Sequence, residues 1–218
     1  MAGITSCTNV ETAKEQAGGQ EAIYREYSIW SEEGDEWVTG LFQVFATRKE
    51  RRSMELQEPA KLAFDGEALM PDSAEVTGVF YEVQKPMDGF AGKHTITYTD
   101  ANEKQYTDDF LFIPFRVLNQ LGPEVSRSQL VLELEGLEEE ELIRVVAVDT
   151  SFESDGINEM DTVRNGRLDL RELFDREIVN GPVMLQLFRE IERPLKSRPG
   201  GGRISITYSL KKEFNLTE

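Results

Sequence analysis

Apolar and polar residues alternate strictly near the end of the chain. Across residues 203–216, Ile204, Ile206, Tyr208 and Leu210 fall on one face, and Ser205, Thr207, Ser209 and Lys211 on the other. A period of two is the pattern of a strand with one face in a core and the other in water. Val183, Leu185 and Leu187 repeat it across residues 181–196, and Pro199-Gly200-Gly201-Gly202 separates the two runs. The pair predicts a long hairpin. Arg189-Glu190-Ile191-Glu192-Arg193 extends its first strand with alternating charge, which suits an exposed edge that resists unwanted pairing.

The first half of the chain reads the same way. Residues 23–31 and 36–47 are two strand-like runs with Glu33-Gly34-Asp35 as the turn. In the second, Val38, Phe42, Val44 and Ala46 share a face, with Leu41 and Phe45 on the other, so it predicts a central strand. A short strand follows at 79–83. A hairpin at 94–99 and 104–115 turns about Asp100-Ala101-Asn102-Glu103. About seven short strands at close spacing predict an antiparallel, immunoglobulin-like β-sandwich, without the Cys-Trp-Cys set of antibody domains.

Pro114, Asn119, Gly122 and Pro123 mark a joint near residues 118–126. Beyond it, Leu130, Leu132 and Leu134 alternate with polar or smaller residues, and 142–150 is a valine-rich strand. Residues 173–179 suit one helical turn or a short strand. The expected fold class is therefore all-β. A flexible tether (1–20) precedes two antiparallel immunoglobulin-like sandwiches, 21–117 and 118–218.

Composition narrows the chemistry. The 218 residues carry a net charge of −17, a surface that repels phosphate backbones and anionic membrane faces, so nucleic acid is not an expected partner. Against that trend, Arg48-Lys49-Glu50-Arg51-Arg52 is a basic run at a loop, read as a solvated turn. No apolar run approaches the roughly 20 residues of a membrane helix. One histidine, His94, rules out a His-rich metal site within one chain, and one cysteine, Cys7, rules out an intrachain disulfide. Neither a phosphate-binding Gly-rich loop of the Walker type nor a dinucleotide fingerprint is present. Asn215-Leu216-Thr217 matches a glycosylation acceptor that carries no meaning in a bacterial chain.

Residues 149–172 are dense in oxygen ligands: Asp149, Glu153, Asp155, Asn158, Glu159, Asp161, Asn165, Asp169 and Glu172. Hard cations such as calcium want six to eight such oxygens on a flexible loop. Read from Asp161, the segment resembles a twelve-residue EF-hand loop. Asp161, Asn165, Asp169 and Glu172 stand at ligand positions, and Gly166 at the sharp turn. Val163 departs from the pattern where an oxygen is expected. The competing reading is a hairpin, because Asn165-Gly166 is a favoured two-residue turn. Calcium is thus the one cofactor the sequence raises. A carboxylate-based hydrolase is a more distant alternative, since paired acids are plentiful in any acidic protein.

Ile4-Thr5-Ser6-Cys7 resembles the end of a bacterial lipoprotein signal, in which an aliphatic and two small residues precede a lipid-modified cysteine. The tether, the two sandwiches and the Pro-marked joint together resemble small surface lipoproteins of Bacteroidota-type bacteria. The resemblance covers the whole chain in layout and implies lipid attachment at Cys7 and an envelope location, with no known reaction. The expected function is a non-enzymatic binding or structural module, engaging an envelope protein or a glycan. Trp30 and Trp37 flank the first hairpin. Strands of this kind usually bury tryptophan, and an exposed pair would point to glycan binding.

Overall fold

A computed structural model describes residues 23–49, 52–119, 121–151, 154–197 and 200–218; the expected tether and Cys7 lie outside them. In the first half the strands are β1 (Tyr24–Glu32), β2 (Trp37–Phe45), β3 (Lys61–Phe64), β4 (Glu67–Ala68), β5 (Pro71–Ala74), β6 (Gly78–Pro86), β7 (Gly92–Thr99) and β8 (Gln105–Phe112). In the second they are β9 (Arg116–Val117), β10 (Glu124–Ser126), β11 (Val131–Glu135), β12 (Leu142–Asp149), β13 (Ile157–Thr162) and β14 (Arg167–Asp169). The helix α1 (Arg171–Glu177) follows, then β15 (Gly181–Pro194) and β16 (Gly201–Thr217). The chain is an all-β, largely antiparallel sandwich, and the two longest strands are the predicted hairpin.

A nine-stranded sheet runs β13-β12-β15-β16-β1-β2-β6-β5, with β10 alongside β16. It draws on both sides of the expected boundary at residue 118. The seam is the parallel pairing of β1 with β16, from Tyr24 opposite Gly201 to Glu32 opposite Ser209. Parallel neighbours require a long crossover, and here nearly the whole chain supplies it. Two smaller sheets, β4-β3-β7-β8 and β14-β11-β9, accompany the large one. The two sandwich halves thus stand side by side on one shared sheet.

The register explains the alternation. On β16, Ile204, Ile206, Tyr208, Leu210, Phe214 and Leu216 are all buried, each two residues or a multiple of two from the next. Val183, Leu185 and Leu187 of β15 are buried in step with them. Rings join the layers: Phe42 lies 6.0 Å from Phe64, Phe112 6.0 Å from Tyr208, and Phe115 5.6 Å from Tyr208. The central strand predicted at 36–47 is β2, which lies between β1 and β6.

Two buried arginines tie the layers by polar contacts. Arg25 shares the inward face of β1 with Tyr27, Ile29 and Ser31 and is fully buried. Its Nη2 donates to the Ser197 carbonyl at 3.0 Å, and its guanidinium lies 5.1 Å from the Tyr98 ring centroid and 4.0 Å from Asp108. Asp108, also buried, accepts from the Lys196 and Ser197 amides at 2.7 and 3.0 Å and from the Ser197 hydroxyl. The β15–β16 connection is thereby locked to β8. Burial raises the Tyr27 phenol above its usual range and pushes Tyr98 up to about 12, with the Asp100 charge adding to the second shift.

Arg189 corrects one expectation. Past Phe188, β15 pairs only with β16, so one side of this stretch is indeed unpaired by β12. Yet Arg189 points inward and is 6% exposed. It donates to both Glu141 oxygens, at 2.6 and 3.2 Å, and to the Ile113 carbonyl at 2.9 Å. The parity that buries Leu185 and Leu187 continues to residue 189, and Glu141 supplies the countercharge.

Removing one partner of a buried pair strands the other charge. Asp108→Ala is therefore expected to cost about 3–5 kcal/mol of unfolding free energy. Urea denaturation measures it; a loss like that of an exposed Asp109→Ala control would contradict this role.

Candidate functional site

The acidic stretch was the sequence's best candidate for chemistry, and several of its residues make structural contacts. Asn165 and Gly166 adopt φ of 51° and 68°, and the Arg164 and Arg167 backbones exchange hydrogen bonds of 2.8 and 3.0 Å across them. That is a tight hairpin turn of the kind Asn-Gly favours. Val163, the misfit of the EF-hand reading, is 1% exposed in the core. Asp161 accepts from the Thr162 amide at 2.7 Å, and Asp169 accepts from the Arg171 guanidinium at 2.8 Å. Glu172 is exposed on α1. Asp161, Asp169 and Glu172 border one open cleft together with Arg164, Arg171 and Arg176. Among the described residues, no group of three or more acidic, histidine or cysteine side chains gathers as a metal site.

Neighbouring acids are similarly engaged. Both Glu139 oxygens accept from the Asn165 amide at 2.9 Å, and Glu141 holds Arg189, so the Glu138–Glu141 run fastens a turn and a buried cation. Asp149 is buried and accepts from the Ser151 amide and hydroxyl at 2.8 and 2.6 Å. The hydrogen bond from Arg171 lowers the Asp169 carboxyl below its usual value. A carboxylate so held stays ionised and is poorly suited to donate a proton.

His94 is also committed. Its Nδ1 lies 2.7 Å from Asp65 Oδ2 and its Nε2 2.6 Å from the Phe90 carbonyl oxygen. The ring stacks on Phe90 at a centroid distance of 4.0 Å and lies 5.3 Å from Phe110. Both ring nitrogens thus lie against oxygens of the protein itself.

The tryptophans depart from the burial expected of them. Trp30 is 41% exposed and Trp37 48% exposed. Both point away from the core. Trp30 pairs with Thr39 across β1 and β2, so Trp37, two residues before Thr39, is its diagonal neighbour on the same face. Such diagonal positions lie about 7–8 Å apart, within reach of one ligand. Thr39, Gln84 and Thr207 occupy adjoining register positions on that face. The signal was present in the sequence: Trp30 shares parity with Glu26, Ser28 and Glu32, while the core takes Tyr27, Ile29 and Ser31.

Asn165→Val forces a β-branched residue into positive φ and should cost about 1–2 kcal/mol in denaturation experiments. Millimolar calcium should leave the melting temperature unchanged, whereas a rise reversed by EDTA would contradict the arrangement above. The folded pKa of Asp169 is lowered, so its pair with Arg171 contributes above the unfolded carboxylate range near pH ~4 and is lost as pH falls through the folded value. Both partners are about half exposed, so the effect on acid unfolding should be small in Asp169→Asn. No family model, curated protein or solved structure matches this chain.

Proposed function

We propose that the protein is a non-enzymatic binding module of the bacterial envelope, tethered by lipid on Cys7, that recognises a glycan through Trp30 and Trp37. The observation that carries this reading is the exposed, diagonal placement of the two tryptophans on the open face of the large sheet. An indole face takes the C–H face of a sugar ring, while hydroxyl and amide groups beside it meet the sugar hydroxyls. Thr39, Gln84 and Thr207 are groups of that kind.

The surroundings favour a sugar over a protein partner. Stable protein interfaces centre on a contiguous apolar patch with a polar rim. Here the two rings stand among threonine, serine, glutamine and glutamate. The engagement of His94, Asp169 and Glu141 in structural contacts supports binding without catalysis. The envelope assignment rests on Ile4-Thr5-Ser6-Cys7.

Trp30→Ala and Trp37→Ala should each weaken glycan binding roughly tenfold, the value of one stacked ring. Thermal stability should change little, because both rings are exposed. Screening a glycan array, followed by calorimetry on the hits, measures the effect. Glycan binding that survives the double replacement would contradict the assignment of the site.

A further inference from the structure

At the opposite end of β1 from its tryptophan lies a groove lined in part by Tyr24, Gln43, Arg48, Lys49, Val76 and Arg203. We infer that this groove and its rim form a docking surface for an anionic lipid bilayer. The sheet register builds the place: Tyr24 stands between Phe45 and Gly201, and Glu26 between Gln43 and Arg203. Arg48 and Lys49, just after β2, therefore meet Arg203 near the start of β16. Arg48, Lys49 and Arg52 are exposed, and Arg48 and Lys49 form no ion pair among the described residues. Glu26 and Glu192 are committed to Arg203 at 3.1 and 3.6 Å, and Glu75 precedes Val76 in the turn. In a chain of net charge −17, the charged residues that line this groove are three cations, Arg48, Lys49 and Arg203, and one anion, Glu26.

A second observation points to lipid. Val76, at the tip of the β5–β6 turn, is 96% exposed. The turn is held from behind: the Thr77 carbonyl accepts from Gln43 Nε2 at 2.9 Å and from the Ser53 hydroxyl at 3.3 Å. An apolar side chain presented at the tip of an anchored turn, beside exposed cations, suits insertion at a headgroup boundary. The cations supply attraction to anionic headgroups, each worth several-fold in partition.

The net charge does not oppose this. Glu32, Glu33, Asp35 and Glu36 sit at the far end of β1, about 30 Å away at strand rise. Screening acts over about 8 Å at physiological salt, so the distant acids are hidden from a bilayer at the basic end. Ile23, the first described residue, also lies at this end. A bilayer at this end leaves the tryptophans some 20 Å farther along β1. The surface would serve a chain lipidated at Cys7 or an unlipidated one.

The test uses full-length protein without lipid, so it is read independently of the Cys7 and glycan proposals. Co-sedimentation is measured with vesicles of phosphatidylcholine alone and of equimolar phosphatidylcholine and phosphatidylglycerol. Binding is expected only to the anionic vesicles and should fall as salt rises. Replacing Arg48→Gln together with Lys49→Gln should lower partition about 30-fold, and Val76→Ser should lower it several-fold. Neither variant touches the core, and unchanged melting confirms that both fold. No binding to anionic vesicles at low salt would overturn the inference, as would binding equal on both vesicles or unaffected by the double replacement. Capture by polyglutamate without vesicle binding would overturn it in favour of an acidic polypeptide.

Discussion

The parallel pairing of β1 with β16 is the constraint on which the rest depends. It joins the first described strand to the last, from Tyr24 opposite Gly201 to Glu32 opposite Ser209. Through it, β2, β6 and β5 extend the sheet on one side while β15, β12 and β13 extend it on the other. Without this seam the two halves would be sandwiches with open edges, the arrangement most prone to unwanted pairing. With it, each half covers the edge of its neighbour. The pairing also places the tryptophans at one end of β1 and the basic groove at the other.

Buried charge positions the second layer. Arg25 with Asp108, and Arg189 with Glu141, reach from the large sheet to β8 and to the loops around it. Such pairs are costly to desolvate, and hydrophobic replacements are often as stable. Their contribution here is directional. Each arginine donates to a backbone carbonyl, Ser197 for Arg25 and Ile113 for Arg189, and so fixes where a loop lies as well as how tightly it packs.

Period-two patterns made the faces legible. Ile204 through Leu210 and Val183 through Leu187 were read correctly as buried, and Asn165-Gly166 as a turn. Hairpin partners could be read from the turns between them, but the distant pairing of β1 with β16 could not, because alternation states which face is buried and not which strand lies alongside. Hence the sequence reading placed a boundary near residue 118 without showing the sheet that crosses it. Arg25 and Arg189 were missed because charge overrode parity, and Trp30 was misjudged because the burial habit of tryptophan did. In all three cases position along the strand was the better guide. His94 could not be read: its partners Asp65, Phe90 and Phe110 come from three separate segments.

The placement of both proposed surfaces rests on the continuity of the shared sheet, so that continuity merits the most direct test. Native-state hydrogen exchange, followed residue by residue through β1 and β16, measures it. A shared sheet predicts that the slowest amides of both strands exchange only through global unfolding, with the same free energy and the same denaturant dependence. Exchange of residues 24–112 through an opening that leaves 130–217 protected would contradict it, and would show two units that fold apart.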